Sequence, residues 1–466
     1  MRTSRGDRED STSPQGPAAG SLDGIPNTPS HTPLLLATQT LFNIGFYAVV
    51  PFIAGTLTSD FGLTATAVGL VLGIRTFAQQ GLFLLGGALA DRFSARSVIL
   101  AGCAVRIAGF ATLAASLWSG SAILWLFIAG TVLTGFGGAL FSPSLNTLIA
   151  TAEAHRIATS QRPPRITLFA WLTITGEIGA VTGPIIGAWL LDWGFAAVAA
   201  WGAGFFVAIA AVLWLFLPRL PRAAQPHAPE PSSSSGAAMH PSWPALRDRN
   251  FVIFASLHAS DLVAYNQLYL ALPLELTRLG LGADAVAMMF VWVSIVTFGA
   301  QLPLARWAAH VGAGPALRAG YLVTATGFLV LGGAAVAAPP RTWHIAFVAV
   351  SVTCLIAGHL IAHPTAQSTV PKFAGAGPTG TYFGLLASLG GIAVLLASLA
   401  TGALFDTGTS AAASTSTAPS TATTITSAAA HTVTQALPWL FLAAISTVAA
   451  IYGPRRVTGR HDYQRV

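Results

Sequence analysis

A chain of 466 residues, 53% hydrophobic and only 8% charged, with a mean hydropathy of +0.66, is not a soluble globular protein; such domains carry about 25% charged residues. The net charge of +7 does not point to nucleic acid, because the Lys and Arg lie in short segments between apolar runs and form no basic face. Cys103 and Cys354 both fall inside apolar runs, which excludes a disulfide framework and reads as two small buried hydrophobes, with no metal site expected.

Residues 1–31 are polar and rich in Pro, Gly and Ser, lack the apolar core of a secretory signal, and are expected to form a disordered tail. From Thr32 onward, apolar runs of about 20 residues, the length that crosses a bilayer, follow one another. Twelve spans are predicted: 33–57, 65–89, 96–118, 122–145, 166–191 and 195–217 in the first half, and 251–274, 284–305, 315–337, 343–363, 379–404 and 435–453 in the second. Residues 218–250, rich in Pro, Ser and Ala, read as a flexible linker. A Ser/Thr/Ala stretch, Thr407 to Thr434, joins the last two spans, and 456–466 form a second tail. The predicted organisation is an all-α membrane protein of two six-helix bundles, 32–217 and 251–455.

Several polar residues interrupt these runs. Phe42, Phe46 and Tyr47 in the first span are candidates to receive a lipophilic cargo. Arg75 and Gln79 lie at i and i+4 on the second span, beside Gln80, and Arg106 is in the middle of the third. An arginine there must be paired or wet, so Arg75 either holds a carboxylate or contacts an anionic group of a cargo. Between the second and third spans stands a charged turn, Gly86-Gly87-Ala88-Leu89-Ala90-Asp91-Arg92-Phe93-Ser94-Ala95-Arg96. Its acid and arginines can latch one half against the other in one state and release it in another, or simply be a solvated turn.

The fifth span carries Trp171, a further aromatic candidate, and Glu177, about 11 residues in and hence roughly 16 Å deep at ~1.5 Å per residue. Gly179, Gly183 and Gly187 follow at every fourth position, with Pro184 among them. Such a stripe lets another helix backbone come close, and the proline favours a bend. On the seventh span His258, Asp261 and Tyr265 share one face, with Asn266 and Gln267 near it. Ionisable groups at midplane depth are costly and are functional candidates by default. A carboxyl in apolar surroundings can trade a proton near neutral pH, so Asp261 and Glu177, with His258, are the proton-coupling candidates. A polar stripe satisfied by neighbouring helices is the competing reading.

The halves read as repeats: 88–92 aligns with 302–306, 137–147 with 358–368, and 187–192 with 402–406. In the second copy Ala305 stands where the first has Asp91. With both termini in the cytoplasm, 19 of the 23 Lys and Arg fall on that side, which the positive-inside rule requires. No phosphate-binding loop or nucleophile elbow is present, so no enzyme is expected.

The charged turn resembles the loop signature of the major facilitator superfamily, G-x-L-a-D-R-x-G-r-k. Gly87, Leu89, Asp91 and Arg92 match, and Arg96 fits the final basic position; Ser94 and Ala95 depart from it. Gly179 to Ala188 is similar to the superfamily's antiporter signature, G-x-x-x-G-P-x-x-G-G, with only the last glycine changed. The resemblance implies a major facilitator fold of drug:proton antiporter type. It also implies a cell-membrane protein acting as a monomer on a small-molecule substrate, with the proton gradient as energy source and no cofactor. Export is the direction the antiporter signature implies. Uptake of a nutrient and a transport-inactive receptor or scaffold are the alternatives.

Overall fold

The computed structural model describes residues 32–83, 89, 93–118, 122–159, 168–217, 244–374, 379–415 and 421–458. Among them all regular structure is helical. In the first half, α1 (Thr32–Val49) passes through a 3-10 turn at Val50–Phe52 into α2 (Ile53–Ser59). Pro51 has no amide hydrogen, so the helical ladder is broken and tightens there. Next come α3 (Ala65–Thr76), which ends in a π-turn at Phe77–Gly81, then α4 (Ala95–Leu117), α5 (Leu124–Thr159), α6 (Leu168–Leu191) and α7 (Phe195–Phe216). The second half holds α8 (Pro244–Arg247), α9 (Arg249–Asn266), α10 (Ala271–Arg278), α11 (Ala283–Val311), α12 (Ala313–Ala337), α13 (Arg341–Ala374), α14 (Thr379–Thr415) and α15 (Thr421–Thr458).

Among the described residues ten helices are long and apolar enough to cross a membrane. The other two predicted spans fall short for identifiable reasons. The 65–89 run is interrupted by the π-turn, and 251–274 divides into α9 and α10, with His258, Asp261 and Asn266 lowering the hydropathy of α9. The expected linker is not structureless to its end, since Pro244–Arg247 and the start of α9 are helical; 218–243 lie outside the described residues. The Ser/Thr/Ala stretch is also largely helical. It extends α14 to Thr415 and starts α15 at Thr421, as its alanines, the best helix formers, favour.

The packing repeats from half to half. In the first, α1 lies on α6, α4 on α5 and α7, and α3 on α5; in the second, α9 lies on α14, α12 on α13 and α15, and α11 on α13. The halves join through α3 on α14 and α6 on α11, again a matched pair. This is what a parallel repeat about an axis along the membrane normal gives. Glycines fix the same register twice. A Cβ on Gly102 would fall 2.9 Å from the Gly137 carbonyl oxygen, and one on Gly320 would fall 3.0 Å from that of Gly358. Two turns further along, Gly109 meets Gly130 and Gly327 meets Ser351 in the same way. Only glycine lets the two backbones approach so closely.

The seam between the halves is hydrogen-bonded at the face bearing the short turns near 60–64 and 338–340. There the Asp406 carboxylate, at the end of the membrane part of α14, accepts from the amides of Ala65 and Thr66 at 2.8 Å each and from the Thr66 hydroxyl. It thereby satisfies first-turn donors of α3 and meets the positive end of that helix dipole. Outward-facing Trp118, Trp125, Trp189, Trp193, Trp214 and Trp343 are exposed, the pattern of an aromatic belt in a lipid interface.

Candidate functional site

A cavity of about 170 Å³ lies between the halves. Phe42, Asn43, Phe46 and Tyr47 of α1, Arg75, Gln79 and Gln80 near the α3 π-turn, Arg106 of α4 and Ser142 of α5 line it from the first half. Tyr265, Asn266 and Tyr269 line it from the second. The π-turn places Gln79 and Gln80 on the cavity, a position where such bulges commonly occur. Asn266 ties the halves together: its amide oxygen accepts from the Thr76 hydroxyl at 2.9 Å, and its nitrogen donates to the Ser398 hydroxyl at 3.1 Å.

Two buried cations dominate the cavity wall. Arg75 is 3% exposed and Arg106 1%. Arg75 donates to Gln79 at 3.0 Å and lies 5.0 Å from the centre of the Phe46 ring. The Arg106 guanidinium lies 4.1 Å from the Phe42 ring and 4.9 Å from Phe46, so both charges flank Phe46. Gly138 makes room for it, since a Cβ there would stand 2.7 Å from Arg106 Nη2. Among the described residues neither guanidinium forms an ion pair. Arg75 Nε and Arg106 Nε and Nη1 are buried without a hydrogen-bond partner. Of the two roles expected for Arg75, holding a carboxylate is not seen among the described residues, and Glu177 is not in the wall of this cavity.

Asp261, 5% exposed, has an imidazole retinue. Its carboxylate meets His359 Nδ1 at 3.0 and 3.1 Å and His363 Nδ1 at 3.3 Å. His258, one turn away on α9, bonds through Nδ1 to the Tyr321 hydroxyl of α12 at 2.8 Å. His359 and His363 stack with ring centres 4.8 Å apart, and the Tyr265 ring lies 4.6 Å from His359. The site expected from α9 alone is therefore built by α9 and α13 together. Sequence reasoning passed over His359. The available signal was its i, i+4 spacing from His363, which puts both on one helix face. Against the expectation of no metal site, His258, Asp261 and His363 offer ligand atoms within 4.8 Å of one another, a donor set suited to a divalent transition-metal ion. The same three side chains also make the polar contacts just described.

The rings of Tyr47 and Tyr269, and of Tyr269 and Tyr265, lie with centres 6.4 Å apart, and Tyr265 packs on His359, so a row of aromatic rings runs from the cavity to His359. Glu177, half-buried on α6, faces Ser294 of α11 and lies within electrostatic reach of His359, Tyr47 and Tyr265. It thus stands where α6 meets the opposite half. Trp171 is 41% exposed and is not in the cavity wall.

The glycines of α6 receive α1. A Cβ on Gly179 would meet Asn43 at 2.6 Å, one on Gly183 would meet Tyr47 at 2.7 Å, and one on Gly187 would overlap the Ala48 carbonyl. Hydrogen bonds from Thr40 to the Thr175 carbonyl, 2.8 Å, and from Asn43 to that of Gly176, 2.9 Å, close the same interface. Pro184 lies within α6. Of the charged turn, Gly87, Asp91 and Arg92 lie outside the described residues. Arg96, in the first turn of α4, donates to the Trp214 carbonyl of α7 and so holds two helices of one half together.

Two parallel six-helix repeats enclosing a polar cavity at their interface define a secondary membrane transporter. The chain belongs to the Major Facilitator Superfamily, whose family model matches residues 35–398. It is 30% identical over 389 residues to an uncharacterized MFS-type transporter of Mycobacterium tuberculosis, covering 81% of this chain and 86% of that one. It is also 30% identical over 381 residues to the multidrug resistance protein MdtH of Escherichia coli, covering 81% and 87%. Among solved structures, the nucleoside transporter NupG superposes with a TM-score of 0.66 at 14% identity, over 92% of this chain and 99% of that one. The POT family transporter PepTSo gives 0.67 at 14% identity, over 95% and 100%. Members of the superfamily are carriers, not enzymes, and use no cofactor.

Proposed function

We propose that the chain is a proton-coupled exporter of small amphipathic compounds, working as a monomer in the cell membrane with both termini in the cytoplasm. The single observation that carries this reading is the Asp261 carboxylate, buried and held by His359 and His363. A carboxylate that shares protons with imidazoles can gain a proton from one side and lose it to the other as the halves rock. The tyrosines link that site to the cavity, so occupation of one can be felt at the other. Glu177 is the second proton candidate, placed to sense His359 across the seam. Export, the direction implied by the Gly179–Gly187 signature, also agrees with the Escherichia coli relative being a multidrug resistance protein. With cytoplasmic termini, the Asp406 contact with α3 lies on the outer side of the seam, where it would help to hold the halves together.

The test uses inverted membrane vesicles acidified inside, presented with a panel of single-ring acids, amides and amines. Gradient-driven accumulation of at least one of them is expected, and Asp261→Asn abolishes it. If the drive survives in both Asp261→Asn and Glu177→Gln, the coupling assignment is wrong. Growth of expressing cells on a solute otherwise not taken up, with no vesicle accumulation, favours the uptake reading.

A further inference from the structure

We infer that the cargo of the central cavity is an organic anion: a carboxylate carried on a small aromatic or apolar body. This rests on the export reading only in taking the cavity as the cargo site. The two guanidiniums each lie within about 5 Å of the Phe46 ring centre, which puts them within about 10 Å of each other. Both are buried, both remain protonated at any physiological pH, and among the described residues neither has a carboxylate partner. Two like charges withdrawn from water without an anion are costly to hold. The scaffold nevertheless holds them, with three guanidinium nitrogens unpartnered. The remaining polar lining is neutral: Gln79, Gln80, Asn43, Asn266 and tyrosine hydroxyls. A carboxylate in the cavity, against the guanidinium groups of Arg75 and Arg106, would supply the missing counter-charge through the charge-assisted hydrogen bonds that guanidinium groups make best.

The rest of the cavity describes the body of the ligand. Phe42, Phe46 and Tyr269 supply apolar walls, and the volume of about 170 Å³ lies below the ~300 Å³ at which sites for drug-sized ligands begin. One ring and a short chain fit; a polycyclic cation does not, and it would meet two positive charges of its own sign. Among the described residues no acid lines this cavity, Glu177 and Asp261 included, so none there contacts a cationic head group.

The experiment compares 3-phenylpropanoate, 3-phenylpropanamide and 3-phenylpropylammonium, which differ in head group and share the ring. Binding to the purified full-length chain is read by titration without a gradient. The acid is expected to bind at least about tenfold more tightly than the amide and the amine. Arg75→Gln and Arg106→Gln should each remove most of that preference, and Arg106→Lys, which keeps the charge, should retain part of it. Equal binding of all three, no binding of the acid, or a preference for the amine overturns the inference, as does a preference that survives both glutamine variants. The unmutated chain decides alone should a variant fail to fold. Vesicle flux separates this inference from the one it rests on. Selective binding of the acid without gradient-driven movement defeats the export reading and leaves the anion site. Gradient-driven movement of the amine in place of the acid does the reverse.

Discussion

The two halves share one scaffold and carry opposite buried charge. In the first, Arg75 and Arg106 stand over aromatic rings with no acid beside them; in the second, Asp261 stands among three histidines. The repeat makes the comparison residue by residue. Gly137 and Gly358 occupy the same place in the helix pairs α4–α5 and α12–α13. One residue on, the first half has Gly138, whose missing side chain admits the Arg106 guanidinium, and the second has His359, which bonds Asp261. Four residues beyond Gly102 is Arg106; four beyond Gly320 is Thr324. One register thus supports two buried arginines in one copy and a carboxylate–histidine cluster in the other. The lesson is that backbone packing and chemistry are separable in such repeats: glycines hold the frame, and the residues next to them are free to diverge.

The sharpest way to break the comparison is Asp261→Asn. If the second half couples and the first binds, gradient-driven transport should fall by about 100-fold or more, as for loss of an acid–base group, while 3-phenylpropanoate binding in titration changes by less than about threefold. A matched loss of binding would mean that the halves do not divide the work. Next in size is Gly137→Ala against Gly358→Ala. Each methyl enters a filled helix interface, so each should cost about 1–3 kcal/mol, read as a similar fall in thermal stability in detergent. A large effect in only one would show that the registers are not equivalent.

His359→Gln should lower gradient-driven flux by about tenfold through loss of a proton partner, and Ser142→His, at the first-half position aligned with His363, should leave coupling unchanged. Coupling that depended on Ser142→His would refute the assignment of proton exchange to the second half. The smallest effect is expected for Asp406→Asn, which weakens the cap on α3 by about 1 kcal/mol. Labelling of single cysteines on the 60–64 turn side should then show an outward-open population raised about fivefold. No change would mean that the contact caps a helix without latching the halves.

Much of the frame was legible in the sequence because apolar length, glycine spacing and arginine placement are one-dimensional signals. The bounds of 195–217 and 315–337 agree with α7 and α12 to within two residues. The failures have physical causes. Span 251–274 breaks at 267–270, just before Pro273, whose missing amide hydrogen cannot continue the helical ladder, and the described parts of the Thr407–Thr434 stretch fold as helix because alanine content outweighs low complexity. At the site, Asp261 was legible because a lone acid in an apolar run needs explaining. His359 was not, because its meaning lies in a partner 98 positions away. Which of the two roles Arg75 takes was not legible, because the way Glu177 faces depends on helix rotation, and it lies outside the cavity wall. Trp171 shows the same limit in reverse: an aromatic on the right helix, pointing away from the cavity.

The unpartnered arginines also set how the membrane voltage enters. Their charges are fixed in the protein and carry no current themselves; what crosses is the cargo and the proton. An anion moving outward and a proton moving inward carry current in the same sense, so their charges add. Each charge moved through 100 mV is worth about 2.3 kcal/mol. A neutral cargo would engage the potential through the proton alone, and a monovalent cation exchanged for one proton would not engage it at all. If the proposed exchange holds, two cations in one wall select the cargo charge for which the electrical potential adds most to the drive, while the acidity difference contributes through the one proton as it would for any cargo.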